Sequence, residues 1–193
     1  MQSLVVSIKK PCVITSFITP WILGYGYKTP EQAKQYIKYG KTLCPGYYPG
    51  LEKGILTITT EGVYLQFMDK LFNENNIDDD LTQIIGENVY VPWDCLSGIY
   101  QLEINKKMGL VARPDGITKN NECVVMVDNF TWGLNGIITE EELKIKLLAT
   151  MAVWKAKKGV YIITKMKKTI YINFDSSKWE EILGKIKIWA ETI

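Results

Sequence analysis

The chain has 193 residues, 47% hydrophobic and 23% charged, with a formal net charge of +2. Aromatic and β-branched residues run through its whole length, which excludes an intrinsically disordered polymer and suits one generous domain, or one domain with an N-terminal appendage. No run reaches the roughly 18–20 uninterrupted apolar residues of a membrane-spanning helix, and the absence of histidine removes Ser-His-Asp and Cys-His catalysis, His-based zinc sites and histidine pH switching.

The charge is unevenly spread. Residues 1–96 carry 8 basic and 10 acidic side chains, and residues 97–193 carry 15 basic and 11 acidic. Every basic residue except Arg113 is a lysine. Arginine is the usual reader of guanine edges and phosphate forks, so this bias argues against sequence-specific nucleic-acid recognition. Four cysteines, at 12, 44, 95 and 123, form no CxxC pair. The first residues lack a basic n-region before their apolar run. Reduced, buried thiols and a cytoplasmic setting are therefore expected. Pro11 to Tyr27 is read as strand and turn. Its other reading is a short membrane-interface segment, which would make the protein peripheral at a membrane.

In chain order, Ser3–Ile8 and Cys12–Ile18 read as strands. A helix follows, with Thr29 as N-cap, Pro30 at its first position, Gln32 completing a T-x-x-Q capping box, and Gly40 at its end. The Pro/Gly-rich stretch Cys44–Gly50 marks a boundary between an N-terminal unit, 1–50, and the remainder, 51–193. Ile55–Thr59 and Val63–Phe67 read as a hairpin turning at Gly62. After an acidic loop at Asn73–Asp80 come strands Asn88–Val91 and Ile99–Ile104, then weaker ones at Gly109–Ala112 and Glu122–Asp128. Thr139–Lys158 reads as a helix opened by a T-x-x-E box, with Gly159 as C′ residue and Leu143, Leu147, Met151 and Trp154 on one face. A hairpin, Val160–Thr164 with Thr169–Phe174, leads to a last amphipathic helix. That helix is expected to start near Ser177 with an S-x-x-E box and to bury Trp179, Ile182, Leu183, Ile186 and Ala190.

The expected class is α+β: a mainly antiparallel, curved sheet with a C-terminal amphipathic helix. From Gly54 onward the pattern resembles the pleckstrin-homology-like superfold, including its GRAM and bacterial branches. The residues carrying the likeness are Gly54-Ile55-Leu56-Thr57-Ile58-Thr59 with Gly62-Val63-Tyr64, Val91-Pro92-Trp93-Asp94-Cys95-Leu96-Ser97-Gly98-Ile99, and the closing strand and helix from Ile170. The resemblance implies a barrel, with the helix near 139–158 as an insertion. It also implies basic loops that meet phospholipid head groups.

The expected function is a non-catalytic binding module for a protein partner or an anionic, phosphate-bearing ligand such as a lipid head group. Two residue sets are candidates. Lys155, Lys157, Lys158, Lys165, Lys167 and Lys168 form a cluster without an acid, suited to phosphates; its structural alternative is a solvated helix end and turn. Trp21, Tyr25 and Tyr27 sit among glycine and proline and suit a partner surface; the alternative for Trp21 is core packing. Two further functions stand beside this one: an interaction factor of a phage or mobile element acting through the N-terminal aromatics, and a carboxylate–metal enzyme. Asp78–Asp80 lacks the alternation of a calcium loop. No catalytic residue, metal site or cofactor is implied.

Overall fold

The computed structural model describes residues 10–39, 101–112, 114, 122–128, 139–163 and 168–193, and the backbone of the strands at 55–58, 63–67, 70–74, 88–90 and 116–118. In chain order the strands are β1 (Cys12–Thr15), β2 (Lys38–Tyr39), β3 (Ile55–Ile58), β4 (Val63–Phe67), β5 (Lys70–Glu74), β6 (Asn88–Tyr90), β7 (Gln101–Glu103), β8 (Met108–Val111), β9 (Gly116–Thr118), β10 (Cys123–Asp128), β11 (Lys158–Ile163) and β12 (Lys168–Asn173). The helices are α1 (Thr19–Ile22), α2 (Pro30–Ala33), α3 (Glu140–Trp154) and α4 (Ser176–Ala190).

The fold is α+β, with two sheets. One runs β2-β1-β8-β7, the other β12-β11-β10-β9-β6-β3-β4-β5. Most pairings are antiparallel, including the expected β3–β4 hairpin, in register Ile55↔Gln66 to Ile58↔Val63. Both orders are linear, so the described strands do not close into a barrel. Two pairs are parallel: β1 with β8, and β10 with β11. A parallel neighbour cannot be reached by a tight turn and needs a crossover. Helix α3 is that crossover between β10 and β11, and it packs against both.

Helix α3 also touches β7 and β8 of the smaller sheet, together with α1 and α4. It is therefore buried on nearly every side. Leu143, Leu147, Met151 and Trp154 are buried as expected, but so are Ile145, Leu148, Ala149 and Val153 around the rest of the cylinder. A helix apolar all round belongs in an interior. The N-terminal segment joins the same core: Cys12, Ile14, Ile18 and Trp21 cluster with α3 and α4 residues. Residues 10–39 are thus woven into the body of the protein through β1, which pairs Cys12↔Met108 to Thr15↔Val111. The predicted strand 3–8 and the boundary at 44–50 lie outside the described residues.

Several boundaries differ from the sequence reading. Cys12–Ile18 is strand only to Thr15; Ser16–Ile18 forms a 3-10 turn that runs into α1. Pro20 in the first turn of α1 donates no backbone hydrogen bond and needs none there. The Thr29–Gln32 capping box is formed in both directions, yet the α-helix it opens stops at Ala33 and continues as 3-10 to Tyr36, well short of Gly40. Asn73 and Glu74, expected in a loop, belong to β5. Asp175 caps α4 by accepting the Lys178 N–H at 3.0 Å, so Ser176 and Ser177 fall inside the first turn.

Helix α3 ends four residues early. Lys155 takes the left-handed conformation at φ 55°. The N–H of Ala156 bonds the Met151 carbonyl at 3.0 Å, and that of Lys155 bonds the Ala152 carbonyl at 3.4 Å. This is a Schellman ending, with Ala156 and Met151 both buried. The next two N–H groups, of Lys157 and Lys158, both donate to the Glu122 carbonyl at 2.9 Å, so sheet pairing has already begun.

Gly159 consequently serves β11 and not the helix end. A Cβ there would lie 2.6 Å from Met151 Sδ and 2.8 Å from Leu147 Cγ, where α3 crosses the sheet. Gly159→Ala is expected to destabilise the fold by about 1–3 kcal/mol through overpacking. Lys155→Gly is expected to stabilise it by about 0.5–1 kcal/mol, because glycine takes the left-handed position without the Cβ penalty. Chemical denaturation of each purified variant checks both.

Candidate functional site

Residues at i, i+4 and i+8 of a helix share one face. On α3 this row is Glu142, Lys146 and Thr150, and all three are buried. Three polar side chains inside an apolar core need partners. The segment 16–21 supplies them. Trp21 Nε1 donates to Glu142 Oε1 at 3.2 Å, Lys146 Nζ lies 3.7 Å from the same oxygen, and the Lys146 ammonium stands 3.8 Å over the centre of the Phe17 ring. The Thr150 hydroxyl bonds back to the Lys146 carbonyl at 2.8 Å and lies 3.0 Å from Ser16 Oγ. The predicted T-x-x-E box is therefore only half built. Thr139 accepts the Glu142 N–H at 3.2 Å, while the Glu142 carboxylate turns inward and its Oε2 meets no hydrogen-bond partner among the described residues.

Glu142 holds Trp21 in a fixed orientation, and an aromatic group is assembled around that indole. Tyr27 and Tyr36 stand near-perpendicular to it, with ring centres at 5.2 and 5.1 Å and interplanar angles of 72° and 67°. Phe17 packs edge-on at 5.7 Å. Gly26 permits this closeness, since any Cβ there would collide with the Trp21 ring. Trp21 is only 1% exposed, but Phe17, Tyr27, Tyr36 and neighbouring Tyr25 are 39–49% exposed. The result is an aromatic face with a buried floor. The Lys28 ammonium sits over it, 5.9, 5.3 and 5.4 Å from the centres of Trp21, Tyr27 and Tyr36.

Of the sequence-predicted partner residues, Tyr27 lies on this face, Trp21 lies beneath it as core, and Tyr25 is exposed nearby in sequence, its N–H bonded to the Pro20 carbonyl at 2.9 Å. Sequence reading missed Tyr36, Phe17 and Lys28. Tyr36 lies in the 3-10 turn that follows α2 and is 39% exposed.

Among the described residues, the strand register sets Lys158 and Lys168 of the predicted lysine cluster apart. In the β11–β12 pair Lys158 is opposite Asn173, whereas Lys168 is opposite Ile163. Lys158 and Lys168 thus mark opposite ends of a strand, roughly 17 Å apart at the rise of extended chain. The chain leaves α3 at one end of the hairpin and turns back at the other, which proximity in sequence conceals. The side chains of Lys165, Lys167 and Lys168 lie outside the described residues. At the near end, Lys155 and Lys157 flank a hollow of about 390 Å³ floored by Met151, Ala152, Ala156 and Phe174. Lys157 Nζ is 3.8 Å from Glu122 Oε1, an exposed pair of small energetic weight.

Cys12 and Cys123 are buried free thiols. Burial pushes the Cys12 thiol above its ordinary range, against the opposing pull of Lys107, and its Sγ–H donates to the Lys107 carbonyl at 3.3 Å. That is a structural thiol. Among the described residues no three Cys, Asp or Glu side chains converge as metal ligands, and no helix is long and apolar enough to cross a membrane. Asp78–Asp80 and Trp93 lie outside the described residues.

No protein-family model and no curated protein matches the chain. Among solved structures, an alkaline exonuclease from Laribacter hongkongensis (LHK-Exo) overlaps 48% of this chain and 53% of its own, at 14% identity and a TM-score of 0.35. The chain thus spans about half the length of that enzyme, too loose an overlap to define a common fold.

Removing one member of the buried pair leaves the other uncompensated. Lys146→Met is expected to cost about 3–5 kcal/mol of stability. Adding Glu142→Gln is expected to recover most of that loss, since a neutral amide still accepts the Trp21 N–H. Equilibrium denaturation of the two single variants and the double variant measures the coupling.

Proposed function

We propose that this chain is a non-catalytic binding module that recognises a protein partner through the aromatic face built on Trp21. The observation that supports this reading is the combination of a buried indole floor with three partly exposed rings packed on it. Tyrosine and tryptophan are enriched at the energetic centres of protein interfaces, because they bury much area with few rotatable bonds. An exposed cluster of such rings is costly to leave in water without a use. The buried charge pair beneath holds the face rigid, so little ordering remains to be done on binding. Two buried free thiols accord with a cytoplasmic setting.

A second reading draws on the hollow between Lys155 and Lys157. A largely apolar hollow with two lysines in its lining suits an anionic ligand carrying an apolar body, such as a lipid head group with the start of its chains. It differs from the sequence expectation in using the near end of the hairpin alone.

One experiment separates the two. A partner captured by the full chain is identified, purified and titrated back. Because residues 10–39 are part of the core, point variants and not truncations are used. Tyr25→Ser with Tyr27→Ser is expected to weaken that complex at least roughly tenfold, while Lys155→Glu with Lys157→Glu leaves it unchanged. Undiminished affinity of the tyrosine variant defeats the aromatic reading. Loss of binding to anionic vesicles in the lysine variant supports the second.

A further inference from the structure

The aromatic face holds a cation of its own, and the spacing of that contact is informative. Inside the protein, the bare ammonium of Lys146 approaches the Phe17 ring to 3.8 Å. Lys28 stands 5.3–5.9 Å from three ring centres at once, near-equidistant from all of them. The gap is wider by about 1.5–2 Å, close to the length of one nitrogen–carbon bond with some slack. A methylated ammonium, whose methyl carbons rest at roughly 3.5–4 Å from ring carbons, fills such a space, while a bare one does not. Three rings, two of them standing up from the third, form the cage that binds such cations through the negative faces of their π-systems.

We propose that Trp21, Tyr27 and Tyr36 form a cage for the methylated side chain of a lysine on a protein partner, with Lys28 as its intramolecular placeholder. The inference rests on the reading of this face as a protein interface and specifies the chemistry it recognises. The resident group argues for lysine: the cage already admits a four-carbon stem bearing an ammonium, so a ligand of the same shape enters by exchange. Lys28 is half-buried, and its ammonium meets three rings and, among the described residues, no carboxylate that would hold it in place. The incoming cation gains methyl–ring contacts that Lys28 does not make. Trp21 is fixed by its bond to Glu142, which makes Glu142 a positioning residue for the cage floor.

The test uses the full chain labelled with fluorotyrosine and read by fluorine NMR, titrated with the amide of acetylated trimethyl-lysine and, separately, with its unmethylated counterpart. The expected result is a saturable shift of the Tyr27 and Tyr36 signals at concentrations on the order of millimolar for the trimethylated probe only. Lys28→Ala, which empties the cage, is expected to tighten binding roughly fivefold by removing an intramolecular competitor. Tyr36→Leu, which keeps apolar bulk but removes the quadrupole, is expected to weaken it at least roughly fivefold; its thermal unfolding establishes that it is folded. The proposal is overturned by an equal response to both probes, by no saturable shift in either wild type or Lys28→Ala, or by unchanged affinity in folded Tyr36→Leu. It is also overturned if phosphatidylcholine vesicles shift these signals and the trimethyl-lysine probe does not. If Tyr25→Ser with Tyr27→Ser abolishes partner binding while Lys28→Ala and Tyr36→Leu leave it untouched, the cage chemistry falls and the interface reading stands.

Discussion

The structure depends on the burial of α3 on nearly every side. Polar groups on the buried faces of a helix are cut off from water, so they must be answered from neighbouring elements. Glu142, Lys146 and Thr150 make that demand in a single row, and the segment from Ser16 to Trp21 answers it. This explains why the N-terminal segment is tied into the core. It supplies β1 to the smaller sheet, and the rings and hydroxyls that make the α3 interior tolerable.

The same constraint builds the surface above. Trp21 is oriented by a carboxylate in the core, and its ring orients Tyr27 and Tyr36. Rigidity is thus passed outward from the helix row to the exposed aromatics through one indole. Buried ion pairs contribute little net stability against an apolar alternative, since desolvation offsets their attraction. Their value here is specificity of arrangement: one indole orientation, and therefore one shape of face. Among the described residues, two further indoles donate to backbone carbonyls, Trp154 to Ala112 at 2.9 Å and Trp189 to Pro30 at 2.9 Å, and pin the helix ends in the same manner.

Local signals in the sequence were legible wherever the physics is local. The Thr29–Gln32 box, the β3–β4 hairpin, the existence of α3 and α4, and the buried stripe Trp179, Ile182, Ile186, Ala190 depend on neighbours within a few residues. Errors occurred where a distant element competed. Gly159 resembled a helix end because it follows lysines, but its reason is the approach of Met151 and Leu147. Glu142 looked like the second half of a capping box, and a tryptophan 121 positions away claimed its carboxylate. Lys158 and Lys168 looked like parts of one patch because they are close in sequence, though the length of a strand separates them in space.

By itself the sequence determined the α+β class, the order of most elements, the exclusion of histidine chemistry and the two segments in which aromatics and lysines concentrate. These follow from composition and from periodicities of two and 3.6, which short-range sterics and solvent impose on any chain. Tertiary structure alone decided that β10 and β11 run parallel with α3 crossing between them, and that Trp21 is a floor and Tyr36 a wall. It alone brought Lys28 over three rings. The reason is that strand partners and the place of Trp21 are set by contacts between distant segments, the Trp21–Glu142 bond spanning 121 positions, and no local pattern records them.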